Sequence, residues 1–303
     1  MKPLARILAA TDLSAPARHA VARAFGLAAS SGGELHVLHA LELDALDSLA
    51  EMLGGDAARV KAALMDDARE RLGRMVDSAD QHGVAARSRV VVGAPVAAIA
   101  AEADALDVGL VVVGARGESF LRHALLGATA SRLLRKSVRR PVLVVKQPPH
   151  EAYRSVLVAV DFSPVSLSSI RTARQLAPGA DLVLLHAVDL PYEGKLTFAG
   201  VEERIIRQYI DARIATRRAQ LHELARTTGL EPADYSARVI HGDASQQILA
   251  MEQEYDTDLI VVGKHGMHVA EELLLGSVSK HVLAEAQGDV LVICDPRPAP
   301  GEA

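Results

Sequence analysis

The sequence predicts an α/β protein built from two copies of one unit, each an open, doubly wound, five-stranded parallel sheet flanked by helices. Three observations lead there. The chain has 303 residues, half of them apolar and 23% charged, which is a globular composition with enough apolar side chain for two cores. Landmark residues recur along it at one fixed offset. Within each copy, strand-like and helix-like segments alternate, as in a parallel sheet with right-handed helical crossovers.

The repeat is read directly. Ile7-Leu8-Ala9-Ala10-Thr11-Asp12-Leu13-Ser14 matches Val156-Leu157-Val158-Ala159-Val160-Asp161-Phe162-Ser163. Asp12 and Asp161 are 149 positions apart, and so are Ser14 and Ser163, Gly93 and Gly242, Gly114 and Gly263, Gly117 and Gly266, and Gly127 and Gly276. Between them the register slips to 147 for His39 and His186, then recovers. Fixed-offset self-similarity of this kind marks a duplicated structural unit. The junction carries Pro148-Pro149, which neither a continuing helix nor a central strand accepts. The expected domains are 1–147 and 154–295, followed by a Pro-rich tail.

Taken in order, the first copy offers strands at 4–10, 35–41, 86–92, 110–113 and 142–145. Most are short runs of Val, Leu and Ile without clean alternation, as expected of strands buried on both faces. Before the third strand, Val60, Leu64, Ala68, Leu72, Met75 and Ala79 recur every three or four residues and predict one buried helix face. Val201, Ile205, Tyr209, Leu221 and Leu224 predict the same face in the second copy. The fifth strands, 142–145 and 290–293, are expected at sheet edges. An apolar edge must be covered, so the expectation is an intramolecular pseudo-dimer of the two copies, with a homodimer of chains left open.

Composition removes several function classes. Aromatic residues are 3% and Trp is absent, so stacking platforms for single strands are scarce. Lys plus Arg is 33 against 38 Asp plus Glu, without the basic excess of a nucleic-acid binder. Charge is uneven: residues 1–150 carry 19 basic and 16 acidic side chains, residues 151–303 carry 14 and 22. No apolar run approaches the ~20 residues of a membrane span. The N-terminal apolar stretch is broken by Arg6 and followed by Asp12, which favours a strand over a signal peptide. The single cysteine, Cys294, fits a reducing compartment, so the expected location is cytoplasmic.

In open α/β sheets, ligands bind beyond the carboxyl ends of the strands, where strand order reverses. Asp12 and Asp161 end the first strands, and Gly114 and Gly263 end the fourth. The loop that follows reads Gly114-Ala115-Arg116-Gly117, nine residues, then Gly127-Ala128-Thr129-Ala130. Its counterpart reads Gly263-Lys264-His265-Gly266, nine residues, then Gly276-Ser277-Val278-Ser279. Glycine lets a backbone approach a ligand closely. A Gly-Ser opening a helix presents free N–H groups, a hydroxyl and the positive helix end, which together suit phosphate. A tight turn without a ligand is the competing reading for these loops, and a helix cap is the competing reading for the two aspartates.

These segments resemble the universal stress protein family in its tandem, two-domain form, over nearly all of residues 1–294. The resemblance implies a Rossmann-like sheet in strand order 3-2-1-4-5. It also implies ATP binding, because the Gly-x2-Gly-x9-Gly-Ser/Thr spacing marks the members that bind ATP. The phosphates are then expected at Gly114, Arg116, Gly117, Gly127 and Thr129, and at Gly263, Gly266, Gly276, Ser277, Val278 and Ser279. Asp12 and Asp161 are expected near the adenosine. Adenine is expected against the backbone at Ala40 or Leu41, and at Ala187 or Val188. The second loop matches fully; the first has Ala128 where Ser277 stands, with Thr129 and Arg116 to compensate. Gly93-Ala94-Pro95 resembles the family's Gly-x-Pro, whereas Gly242-Asp243-Ala244 departs from it and places a carboxylate near the second crevice. The second site therefore ranks ahead of the first.

Other clusters read as structural. His265, His268 and Glu271 have metal-like spacing only if the segment is helical; a polar loop over the nucleotide is preferred. His36 and His39 lie three apart on a strand and point to opposite faces. Arg132, Arg135, Lys136, Arg139 and Arg140 fall at a predicted helix end, where positive charge offsets the macrodipole. No hydrolase triad, zincin motif or Walker loop is present in the sequence. No general base stands out in either loop, so slow or absent ATP hydrolysis is expected and the chain is read as a non-enzyme. The implied role is regulatory, in stress survival: ATP, with Mg²⁺ bridging its phosphates, orders the loops and changes the surface offered to a regulatory protein partner. The alternative is a nucleotide-free interaction scaffold of the same fold. An ATP-consuming enzyme of a related α/β superfamily would want a Ser-Gly-Gly-x-Asp loop after the first strand, which Asp12-Leu13-Ser14 and Asp161-Phe162-Ser163 do not supply.

Overall fold

The computed structural model describes residues 4–43, 56–79, 81–117, 126–135, 140–149, 151–189, 193–266 and 275–294. The chain divides into two units, Met1–Ala152 and Tyr153–Ala303. Unit 1 runs β1 (Arg6–Thr11), α1 (Ala15–Ser31), β2 (Glu34–Leu41), α2 (Ala57–Asp77), β3 (Ala86–Val92), α3 (Pro95–Ala105), β4 (Leu110–Gly114), α4 (Ala128–Arg135) and β5 (Val142–Val145). Unit 2 runs β6 (Ser155–Ala159), α5 (Pro164–Leu176), β7 (Asp181–Val188), α6 (Glu193–Phe198), α7 (Glu203–Thr227), β8 (Ser236–His241), α8 (Ala244–Glu254), β9 (Leu259–Gly263), α9 (Ser277–Glu285) and β10 (Asp289–Ile293).

Both units pair their strands in parallel, in the orders β3-β2-β1-β4-β5 and β8-β7-β6-β9-β10. Numbered within each repeat, both orders are 3-2-1-4-5, as the resemblance implies. The central strands are apolar on both faces: Ile7, Leu8 and Ala9 of β1 and Leu110, Val111 and Val112 of β4 are fully buried. Strand order reverses between β1 and β4 in unit 1 and between β6 and β9 in unit 2. The crevice between diverging crossovers opens there, at the strands' carboxyl ends.

Helix starts are set by local chemistry. Ser14 precedes α1, and its hydroxyl accepts from Ala17 N at 3.3 Å; Gly32 ends the helix at φ 65°. This pairs a serine start with a left-handed glycine stop. The sheet-facing side of α1 is mostly small, with Ala17, Ala20, Ala24 and Ala28 buried, so the helix lies close over β1 and β4. Asp243, where the second copy departs from Gly-x-Pro, caps α8 instead: its carboxylate accepts from Gln246 N at 3.0 Å. That backbone hydrogen bond is the main reason its carboxyl titrates below the ordinary aspartate range. Its charge is committed to the helix, and it does not line the neighbouring cavity.

The helix faces expected before β3 and β8 are only half right. Ala68, Leu72 and Met75 of α2 are buried, but Leu64 is 37% exposed. In α7, Leu221 is buried and Leu224 half-buried, while Ile205 and Tyr209 are about half exposed and Ile206 turns inward instead. Val201 precedes the helix. Length explains the difference. The 21 residues of α2 span roughly 32 Å at 1.5 Å per residue, whereas the seven residues of β3 span roughly 23 Å. The amino-terminal turns therefore have no strand beneath them. Leu72→Ala should destabilise unit 1 by about 2–5 kcal/mol, and Leu64→Ala by less than about 0.5 kcal/mol, measured by urea denaturation followed by circular dichroism.

Candidate functional site

The site grows from the end of the first strand. Asp12 Oδ1 accepts from Ser14 N at 3.1 Å, and Asp161 Oδ1 accepts from Ser163 N at 2.9 Å. Each aspartate thus closes a turn on its own backbone. The residue between adopts positive φ in both copies, 65° at Leu13 and 64° at Phe162. A bulky side chain is rarely found there, and such strain persists only where the surroundings enforce it. One enforcing contact comes from the second strand. His39 Nδ1 lies 2.9 Å from Thr11 O, and His186 Nδ1 lies 2.7 Å from Val160 O. Each ring thereby ties the tip of β2 or β7 to the carbonyl just before the aspartate.

The glycine loop closes over this turn. A Cβ on Gly117 would overlap Asp12 Oδ2, and one on Gly266 would lie 3.3 Å from Asp161 Oδ2. The loop after the fourth strand is therefore packed against the carboxylate after the first. The same loop is cinched at its far end, where Gly127 N donates to Ala115 O at 2.8 Å and Gly276 N donates to Lys264 O at 2.9 Å. In unit 2, Ser279 Oγ also donates to Gly263 O. What remains beside this contact is a cavity in each unit, of about 410 Å³ in unit 1 and about 420 Å³ in unit 2, within the range of small-molecule sites.

Most of the residues singled out from sequence converge there. Asp12, Ala40, Gly114, Arg116, Gly117, Gly127 and Thr129 line the first cavity. Asp161, Ala187, Gly263, Gly266, Gly276, Ser277, Val278 and Ser279 line the second. Leu41 and Val188 do not line the cavities. Of the metal-like set, His265 lines the second cavity, while His268 and Glu271 lie outside the described residues, as do Lys136 and Arg139. Among the described residues, no group of three His, Cys, Asp or Glu side chains is arranged for a metal ion.

Sequence reasoning missed several lining residues. Arg132 and Arg135, read as offsetting a helix dipole, both line the first cavity. The signal was present: Thr129, Arg132 and Arg135 are three apart, which puts them on one face of α4. His186 served only as a register landmark. It is a lining residue of the second cavity, with the Phe162 ring 4.6 Å away and the Arg217 guanidinium 5.3 Å from that ring. Ser163, Ser166 and Ser169 also line that cavity. Ser166 Oγ donates to Asp161 Oδ1 at 2.9 Å. Ser163 Oγ is buried and has no hydrogen-bond partner among the described residues, unlike its counterpart Ser14. A buried hydroxyl left without a partner beside a cavity points to a polar group arriving from outside the chain.

Fold and site together define a duplicated α/β protein with a glycine-walled cavity in each unit. The family model described as the universal stress protein family matches residues 4–146 and 152–293. The chain belongs to the universal stress protein family, in tandem form. It is 32% identical over 197 residues to a universal stress protein of Mycobacterium tuberculosis, covering 61% of this chain and 59% of that protein. One from Mycolicibacterium smegmatis is 34% identical over 196 residues, 61% of each chain. The chain thus spans about three-fifths of the length of these curated relatives. The crystal structure of a universal stress protein from Archaeoglobus fulgidus shares the fold, with a TM-score of 0.63 at 21% identity, covering 97% of this chain and 99% of that one.

Burial pushes the His186 imidazole below its ordinary range; Arg217 and Arg213 add to this, while the hydrogen bond to Val160 and the charge of Asp161 oppose it. A lowered folded-state value means that the folded chain binds fewer protons than the unfolded one. The stability this protects is present at neutral pH and is lost as pH falls through the unfolded imidazole range. Between about pH 7.5 and about pH 5.5, the melting temperature of the wild type should fall further than that of His186→Gln, measured by differential scanning fluorimetry.

Proposed function

We propose that this universal stress protein is an adenine-nucleotide-binding regulatory protein of the cytoplasm. ATP lies in the glycine-walled cavities, and its binding orders the loops after β4 and β9. The observation that carries the reading is the closure of Gly117 and Gly266 onto the carboxylates of Asp12 and Asp161. That closure leaves a ligand-sized cavity at the amino terminus of α4 and of α9, where free N–H groups favour phosphate. The unpartnered Ser163 hydroxyl supports it, and so does the family's glycine spacing in both repeats. Ala40 and Ala187 offer a flat, small-residue wall for the base. Mg²⁺ enters this reading as a counter-ion carried by the phosphates, not as an ion held in a protein cage.

The reading is one of binding, not turnover. Asp161 Oδ1 already accepts from Ser163 N and from Ser166 Oγ, which makes it a poor general base. The output in this reading is a surface altered by nucleotide for a regulatory partner. The test is calorimetric titration of ATP into the full chain freed of co-purified ligand. Saturable binding is expected, and Gly117→Val should weaken the unit 1 site at least about tenfold by displacing the Asp12 carboxylate. Absence of saturable binding at millimolar ATP would instead favour a scaffold whose glycines only shape the turn.

A further inference from the structure

His186 lines the second cavity from the side away from the glycine loop. It lies on β7, which pairs with β6, and β6 in turn pairs with β9. Two strand spacings put about 10 Å between β7 and β9. A nucleotide whose phosphates rest at the start of α9 therefore turns its nucleoside toward β7. The state of the imidazole follows from its neighbour. Val160 O, 2.7 Å from Nδ1, can only accept, so Nδ1 carries the hydrogen. In the neutral ring Nε2 is then a lone-pair acceptor. Among the described residues no hydrogen bond engages Nε2, and unlike Nε2 of His36 it is not sealed inside the protein. We infer that His186 sets the specificity of the second cavity: its Nε2 accepts a hydrogen bond from an N–H or O–H of the nucleoside. This rests on the nucleotide reading above and adds to it which group of the ligand is read.

The surroundings keep the ring neutral and in place. Burial lowers its affinity for a second proton, and Arg217 and Arg213 on α7 act in the same sense, against the Val160 hydrogen bond and the charge of Asp161. The Phe162 ring packs 4.6 Å from the imidazole, and the Arg217 guanidinium lies 5.3 Å from the Phe162 ring. With Nδ1 tied to Val160 O and Phe162 against it, the imidazole has little freedom to turn. An ionised phosphate oxygen has no hydrogen to give, so Nε2 does not serve the phosphate chain. The donors on a nucleoside are its sugar hydroxyls and the amino group of its base, and one of these meets Nε2. The first repeat lacks this reader. His39 makes the same contact with Thr11 O, but it is buried and does not line the first cavity. Leu13 stands there in place of Phe162, so no aromatic ring backs the imidazole. Reading a nucleoside donor is thus a property of the second repeat.

The experiment uses the full ligand-free chain carrying Gly117→Val, so that the second site is read. ATP is compared by calorimetric titration with 2′-deoxy-ATP and 3′-deoxy-ATP, which each lack one sugar donor, and with purine riboside triphosphate, which lacks the amino group. Each is titrated before and after His186→Asn. The asparagine amide reaches the Nδ1 position and keeps a donor for Val160 O, but it has nothing at Nε2. His186→Asn should weaken ATP about fivefold, the worth of one ordinary hydrogen bond. One analogue should already bind about fivefold more weakly than ATP and be indifferent to the substitution, which identifies the donor. Equal losses for all four ligands, or unchanged ATP affinity, overturn the inference while the nucleotide reading stands. Nitrogen-15 histidine spectra of the wild-type chain decide independently of how His186→Asn folds. Saturating ATP should move the His186 Nε2 signal toward that of a hydrogen-bonded nitrogen, with Nδ1 still protonated. An Nε2 signal unmoved at saturation overturns the inference, and absence of ATP binding overturns both readings together.

Discussion

The arrangement depends on one contact made twice: the carboxylate that ends the first strand is packed against a glycine in the loop leaving the fourth. The two strands are neighbours because strand order reverses between them, so their carboxyl ends open into one crevice. Once Asp12 and Asp161 have closed turns on Ser14 N and Ser163 N, their outer oxygens stand where the loop must pass. At Gly117 a side chain does not fit. The cavity is what remains between that contact, the start of the following helix, and the wall supplied by the second strand.

The turn beneath is held under strain by its neighbours. Leu13 and Phe162 keep a left-handed backbone that bulky residues avoid, and a histidine on the next strand, 28 residues on from Thr11 and 26 from Val160, pins the preceding carbonyl in each unit. Repetition of the same strain and the same hydrogen bond in both copies argues that the geometry of this corner is inherited from one module. The side chains around it are not: arginines line the first cavity beside Asp12, and serines line the second beside Asp161 and Asp189. The backbone frame has stayed the same while the chemistry of the lining has diverged.

The sheet and its duplication were legible because they follow from short-range patterns. Runs such as Leu110–Val113 have no polar residue to face water, and paired Asp and Gly landmarks at a constant offset require equivalent corners. The site was legible as far as backbone needs a particular residue, which is why the glycines and aspartates were found. It was less legible where the three-dimensional surroundings decide. Leu64, Ile205 and Tyr209 carry a helix period but lie on turns that outrun the strands below. Arg132 and Arg135 look like ordinary helix-end charge until the glycine loop is seen to bring α4 beside the cavity. A continuous apolar run does not reveal that Ala187 lines the cavity and Val188 does not.

The central claim is that the corners formed by the first and fourth strands receive adenine nucleotide. Hydrogen–deuterium exchange of the full chain, with and without saturating ATP, addresses it most directly, because the backbone amides that open α4 and α9 behind the glycine loops are the proposed ligand donors. The account predicts slowed exchange in residues 114–117, 127–131, 263–266 and 276–279, with the far ends of the sheets unchanged. Unaltered exchange in all four segments, or protection confined to other parts of the chain, would contradict it.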